Sequence, residues 1–266
     1  MKANISKKEV ESKKELLKVL SETDSFLIPH KLKKIIPGYK KFKRHPDKRG
    51  IWSLSKNNLA DHYSKYDKIF ILYNGIAASG KDAIRQEISR AYPELTSTII
   101  TTTSRKPRSG EINGIDYHFL DSPQTFKKSI KDGDFLEWVK QGDRFYGLSK
   151  KSLQTAIEHP APIVFSQIEM SAWSTFENHI KTTTNGKIFV LKVFVLPHMS
   201  FSEYKIWLSQ KRDDDVEARL IRTSWEITKA PRKADLIIVN KMGKTKRPLK
   251  RTAKLITNQI LEFLSP

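Results

Sequence analysis

"KIFILYNGIAASGKDAIRQ", Lys68 to Gln86, carries three signals whose order decides the fold. The apolar run KIFILY has the length and the β-branched and aromatic content of a buried strand. A glycine-framed turn follows, Gly75 to Lys81 in the spacing G-x-x-x-x-G-K, and Lys81 opens a stretch of helical pattern. Strand, loop and helix in that order make an anion cradle. Backbone N–H groups turn inward, the helix N-terminus adds partial positive charge, and Lys81 reaches the β- and γ-phosphates. The predicted phosphate-binding set is Gly75, Ala78, Ser79, Gly80, Lys81 and Asp82. Asp82 stands where a serine or threonine hydroxyl usually meets Mg²⁺. A carboxylate is also a hard oxygen ligand, so Asp82 is the predicted metal contact, although it brings negative charge close to the phosphates. The plain alternative is a glycine-rich turn with a solvated lysine.

Working outward, further strands are predicted at STIIT (97–101), PIVFS (162–166), KIFVLKVFV (187–195) and ADLIIVN (234–240). Helical patterns fall at 122–132, 149–159, 200–210 and 215–228, and no internal repeat occurs. Strands alternating with helices predict an α/β fold with a mostly parallel, helix-covered sheet. Residues 1–66 have a different texture: Lys-rich, broken by Pro29, Pro37, Gly38 and Pro46, with room for one short helix at 6–21. They read as a basic appendage before a domain at 67–266.

Lys and Arg number 49 against 29 Asp and Glu, a formal charge of +20, which favours nucleotides, nucleic acid or anionic surfaces as partners. Cysteine is absent, which excludes disulfides, thiolate nucleophiles and cysteine-ligated metals. No apolar run approaches membrane-spanning length, and the acid-containing N-terminus has no signal core, so the expected compartment is the cytoplasm. The Lys-rich segment with Tyr39, Phe42 and Trp52 admits a nucleic-acid role, but a solvated extension is the favoured reading.

A second anion site is written in TTTSRKPRSGEINGIDYHF, residues 101–119. Arg105 and Arg108 flank Pro107, guanidinium forks match phosphate oxygens, and Tyr117 adds a phenol. Two phosphate sites in one α/β domain suggest a donor nucleotide and a phosphorylated acceptor.

At these residues the chain resembles the guanylate kinase family, whose acceptor motif T-T-R-x-P-R-x-G-E-x-x-G-x-D-Y-x-F it follows with Ser104 in place of the second threonine. The likeness continues through DGDFLEWVKQGDRFYGLSKKSL and covers about residues 67–264. It implies a P-loop core with an acceptor-binding lobe at about 97–148 and a short lid at about 209–218. It implies MgATP as phosphoryl donor and GMP or dGMP as acceptor. On this basis Arg105, Arg108, Tyr117 and Tyr146 bind the acceptor phosphate, Glu137 accepts from guanine N1–H and the exocyclic amine, and Thr101 and Glu169 lie at the base. Asn240 matches a position near the donor adenine. Arg212 and Arg219, with Lys211 and more weakly Arg222, are candidates to neutralise the transferring phosphoryl group.

The chain departs from the pattern at Leu148, where the family has a base-recognising hydroxyl, and at Trp207, which takes an arginine's place. The plain alternatives are a solvated carboxylate for Glu137, packing rings for Tyr117 and Tyr146, a strand cap for Asn240 and a salt-bridged helix face around 211–222. Asp82, Leu148 and the short lid also leave room for a binding module with weak catalysis.

Overall fold

The computed structural model describes residues 7–44, 50–54, 66–211, 215–241 and 254. Arg212 and the tip of the predicted lid lie outside the described residues, as does the side chain of Lys211. In chain order the N-terminal segment forms α1 (Lys7–Glu22), α2 (Pro29–Leu32), a 3-10 turn (Pro37–Lys41), β1 (Phe42–Arg44) and β2 (Ile51–Leu54). Then come β3 (Lys68–Gly75), α3 (Lys81–Ala91), β4 (Thr96–Thr98), β5 (Thr102–Thr103), β6 (His118–Phe119), α4 (Pro123–Lys131), β7 (Phe135–Gln141) and β8 (Arg144–Ser149). The chain continues with α5 (Lys150–Glu158), β9 (Ile163–Ser166), α6 (Trp173–Thr183), β10 (Ile188–Pro197), α7 (Phe201–Lys211), α8 (Val216–Lys233) and β11 (Leu236–Asn240).

Two compact units divide these elements: Met1–His62, Asn74–Ile88 and Lys192–Pro266 make the first, Tyr63–Tyr73 and Ser89–Leu191 the second. In the first unit β10 and β11 run parallel, pairing Val193 with Leu236 through Pro197 with Asn240. The outer side of β11 is not an edge. Strand β2 adds to it antiparallel, Trp52 opposite Ile237, and β1 adds to β2. The segment read from sequence as an appendage thus completes this sheet and supplies core: Leu20, Leu27, Leu32 and Tyr39 are fully buried and Phe42 nearly so.

Tyr39 has a specific task there. Inside α8 the carbonyl of Ile227 would take its helical hydrogen bond from residue 231, but Pro231 has no N–H to give. The Tyr39 hydroxyl donates to that carbonyl at 2.9 Å, and Gly38 fits so closely that a Cβ there would meet Pro231 Cγ at 3.1 Å. This also explains why α8 runs on to Lys233, past the predicted end near 228.

The second unit holds β9 between β3 and β4, all parallel, with Ile69 and Thr96 on either side of Ile163. Predicted strand 97–101 is cut short: after Ile99 donates to Phe165 the chain leaves the sheet. It enters a four-stranded sheet ordered β6-β5-β8-β7. Beneath that sheet Phe126 of α4 stacks on Phe135 at 4.4 Å and on Phe145 at 5.4 Å. Gly147 is obligatory here, since a Cβ would sit 2.8 Å from Phe135 and 3.0 Å from Phe126. Lys68 is buried, and its ammonium caps the C-terminal end of α5, donating to the carbonyls of Ala156, Ile157 and His159.

Candidate active site

The predicted donor residues lie in the first unit. Strand β3 ends at Gly75, where a Cβ would stand 2.6 Å from the Val195 carbonyl, so only glycine lets the loop start this close to β10. The next turns use left-handed backbone at Ala78, φ +57°, and at Gly80, φ +79°. Three consecutive loop carbonyls are then tied outward. Tyr204 of α7 donates to Ala77 O at 3.2 Å, Trp207 of α7 donates to Ala78 O at 3.0 Å, and Asn240 at the end of β11 donates to Ser79 O at 2.9 Å. The Gly75 and Ser79 N–H groups are spent within the turn, on Asn74 Oδ1 at 2.6 Å and Ile76 O at 3.1 Å, which leaves the N–H groups at the start of α3 for an anion.

The N-terminal segment reaches the loop through α7. Ser200 and Glu203 form a reciprocal cap, Ser200 N to Glu203 at 2.7 Å and Glu203 N to Ser200 at 3.3 Å, and Asp24 accepts from Ser202 N at 2.8 Å. Those Ser202 hydrogen bonds hold the Asp24 carboxyl below its usual range. Leu27 N adds a bond to Met199 O at 2.9 Å. The helix that grips the loop is therefore seated on residues 24–27.

Lys81 opens α3 and lies 3.4 Å from the Asp82 carboxylate, which is half exposed. Ser79 is fully buried, and its Oγ has no hydrogen-bond partner. These groups fit a nucleotide's phosphates. Among the described residues no cluster of three or more His, Cys, Asp or Glu could hold a metal. A single carboxylate fits Mg²⁺ of the kind that keeps its waters and is shared with substrate phosphates, with Asp82 as the protein's contact. Of the lid cations, Arg219 stands on the first turn of α8, which Asp215 caps through Ala218 N at 3.1 Å, and Arg222 is drawn to the buried Glu226 at 3.1 Å.

The predicted acceptor residues lie in the second unit. Strand β5 is locked to β8: Thr103 Oγ1 donates to Phe145 O and Ser104 Oγ accepts from Phe145 N, both at 2.9 Å. That fixes the next residue, Arg105, which is buried and sits between rings, 5.0 Å from the Tyr117 centroid and 5.4 Å from Phe119. Its guanidinium meets Glu111 bidentately, both contacts 2.6 Å, and the same carboxylate accepts from Arg108 N at 2.7 Å. The pair raises the Arg105 pKa and holds the Glu111 carboxyl below its usual range. Glu111 was not among the residues singled out from sequence, although it stands in the motif itself, six after Arg105.

Tyr117 and Tyr146 meet edge to face at 6.1 Å, both half-buried, while Arg108 is exposed. Thr101 accepts from His118 N through its carbonyl at 2.9 Å. Glu137 follows a β-bulge in β7, between Phe135 opposite Ser149 and Glu137 opposite Leu148, a device that re-aims the neighbouring side chain. Burial, and then the charge of Glu169, push the Glu137 carboxyl up to about 8. The fold thus brings the predicted base-recognising pair together. Leu148 is fully buried, so it packs beneath the sheet and offers nothing to a base. A cavity of about 880 Å³ in this unit is walled by Thr102, His118, Phe135, Ser149 and Lys150, among others, and by none of the seven predicted acceptor residues.

The guanylate kinase family model matches residues 66–253. A guanylate kinase of Ruegeria sp. (strain TM1040) is 30% identical over 185 residues, 68% of this chain and 81% of that protein. Guanylate kinase of Helicobacter pylori (strain ATCC 700392 / 26695) is 25% identical over 73% of this chain and 90% of its own length. A solved guanylate kinase structure from Anaplasma phagocytophilum aligns with 74% of this chain and 86% of its own at 18% identity, TM-score 0.49. No helix among the described residues is long and apolar enough to cross a membrane. With a family model matched over most of its length and a relative 30% identical over 68% of it, the chain belongs to the guanylate kinase family, among the nucleoside monophosphate kinases.

Proposed function

We propose that the protein transfers the γ-phosphoryl group of ATP to GMP or dGMP, giving ADP and GDP or dGDP. The observation that carries this reading is Glu137, half-buried, facing Glu169 and held near 8. A carboxyl so reluctant to ionise is relieved by a ligand offering two adjacent N–H donors, which guanine has and adenine lacks. Arg108 and the Tyr117–Tyr146 ring pair supply the phosphate end, with Arg105 held in place by Glu111.

The donor phosphates lie on the N–H groups where the loop from Gly75 to Lys81 runs into α3, and Lys81 reaches the outermost one. A magnesium ion at Asp82, when bound, neutralises charge on the transferring group. The acceptor phosphate is already a nucleophile and needs no general base, so the remaining task is positioning and positive charge, for which Arg219 and Arg212 are the proposed lid groups. The competing reading, a binding module with weak turnover, draws on the Lys81–Asp82 contact and on the burial of Leu148.

The test is a coupled ADP-release assay with MgATP against GMP, dGMP, AMP, UMP and CMP. GMP- or dGMP-selective turnover, abolished in Lys81→Ala and strongly reduced in Glu137→Ala, supports the reading. Folded protein that binds GMP without turnover ends the kinase assignment and leaves the binding module.

A further inference from the structure

Residues 25–44 contain seven Lys and Arg and no acidic residue. All seven are exposed: Lys31, Lys33, Lys34, Lys40, Lys41, Lys43 and Arg44. The first unit gathers several of them around rings. Arg44 on β1 stands directly opposite Trp52 on β2, and opposed residues of an antiparallel pair project from the same face. The exposed His30 ring lies on Trp52, centroids 5.6 Å apart and planes 18° from parallel. Nearby Phe26, 38% exposed, meets the exposed His198 imidazole edge-on at 5.7 Å. Partial burial and then the charges of Lys31, Lys33, Arg44 and His198 hold His30 below its ordinary range, which puts these groups within electrostatic reach of one another.

We propose that this face binds single-stranded nucleic acid, the cations taking phosphates and the half-buried or exposed rings taking unpaired bases. Polyanion binding through released counterions needs clustered Lys and Arg, and sequence-tolerant binding of single strands needs rings on which bases can stack. Both are present on one surface. Guarding an open sheet edge accounts for Lys43 and Arg44 on β1, but not for Lys31, Lys33 or the rings, which lie off that strand. An anionic membrane would call for several apolar side chains free to insert, and with Tyr39 and Phe42 at 0% and 3% exposed the segment offers Phe26 as its one exposed large apolar ring. The stacking residues are therefore His30 and Trp52 with Phe26 and His198, rather than the Tyr39 and Phe42 that the sequence offers.

The experiment measures fluorescence anisotropy of a labelled single-stranded oligonucleotide with the full chain across a salt series, with thermal melting as the check on folding. Lys31→Glu/Lys33→Glu/Arg44→Glu is expected to weaken binding at least tenfold and to flatten the salt slope by about 2, three contacts at roughly 0.7 each. His30→Ala is expected to weaken binding about fivefold with the slope unchanged, the mark of a lost stacking contact. If charge reversal disturbs folding, Lys31→Gln/Lys33→Gln/Arg44→Gln carries the same comparison. Unchanged affinity in the charge variants overturns the proposal. So does equal binding of duplex DNA or anionic vesicles together with no effect of His30→Ala, which would leave a bare electrostatic surface.

Discussion

The indole N–H of Trp207 donates to the carbonyl of Ala78 at 3.0 Å, and Ala78 is the loop residue held at φ +57°. A side chain bearing a Cβ costs about 1 kcal/mol or more in that conformation, and a neutral hydrogen bond returns about 1 kcal/mol. The residue that stands in an arginine's place is thus spent on holding a strained turn rather than on a phosphate.

Trp207→Phe should therefore raise KM for ATP about fivefold, the equivalent of 1 kcal/mol, with KM for the monophosphate unchanged. Adding Ala78→Gly should recover most of the loss, because glycine needs no clamp at positive φ. Steady-state kinetics on the two variants and their combination decide it. A double variant no better than Trp207→Phe alone would show that strain at Ala78 is not what the indole offsets.

The Glu137 carboxyl gives a pH signature. Its folded value near 8 stands above the ordinary 4.5, so between those limits the folded chain keeps a proton that the unfolded chain releases. Stability from this site accordingly falls as pH rises through that window. Glu137→Gln should melt like the wild type below 4.5 and at higher temperature above 8, and melting curves across pH would reveal a flat difference if the site is not strained. GMP affinity should rise toward pH 8 in the wild type and lose that dependence in the variant.

Glu111 has the opposite sign. Its pKa is lowered, chiefly by the Arg105 hydrogen bonds, so its contribution is fully present above 4.5 and lost as pH falls through the depressed value. Glu111→Gln leaves the buried Arg105 guanidinium without its counter-charge and should cost about 2–3 kcal/mol at neutral pH. The same change should raise KM for GMP and leave KM for ATP alone. Denaturant melts and kinetics measure both, and equal stability of variant and wild type would remove the pair from the argument.

The parallel strands were legible because β3, β9, β10 and β11 are predominantly apolar runs, broken in the middle of β10 by Lys192 alone, and the loop because its glycines are spaced by the backbone's needs. Of the predicted acceptor residues, Thr101, Arg105, Arg108 and Tyr117 come from a motif confined to 101–119, while Glu137, Tyr146 and Glu169 come from segments further along. What escaped depends on partners distant in sequence. Nothing local to FKR or IWSL announces a two-stranded extension of a sheet whose next strand begins at Leu236. Trp207 reads as a misplaced arginine until Ala78 is beside it, and the bulge before Glu137 is visible only against β8. Lysines between 31 and 43 masked the buried positions among them, since the surrounding charge made Tyr39 and Phe42 read as surface rings and left Leu32 unremarked.

Tyr39 and Pro231 should prove coupled. Tyr39→Phe leaves the buried Ile227 carbonyl unanswered, at a cost of about 1–3 kcal/mol. Pro231→Ala restores an N–H to α8 and should shrink that cost to a few tenths. A double-mutant cycle by chemical denaturation checks it, and strict additivity would separate the two residues.

The Tyr39–Ile227 hydrogen bond joins positions 188 residues apart. At about 5–20 residues per second of synthesis, the hydroxyl leaves the ribosome roughly 10–40 s before its acceptor is made. During that interval Leu20, Leu27, Leu32 and Phe42 have neither α8 nor β11 to bury against. The segment that carries Tyr39 is translated well before its partners and must therefore settle late, while its dense positive charge keeps the waiting chain from sticking to its neighbours.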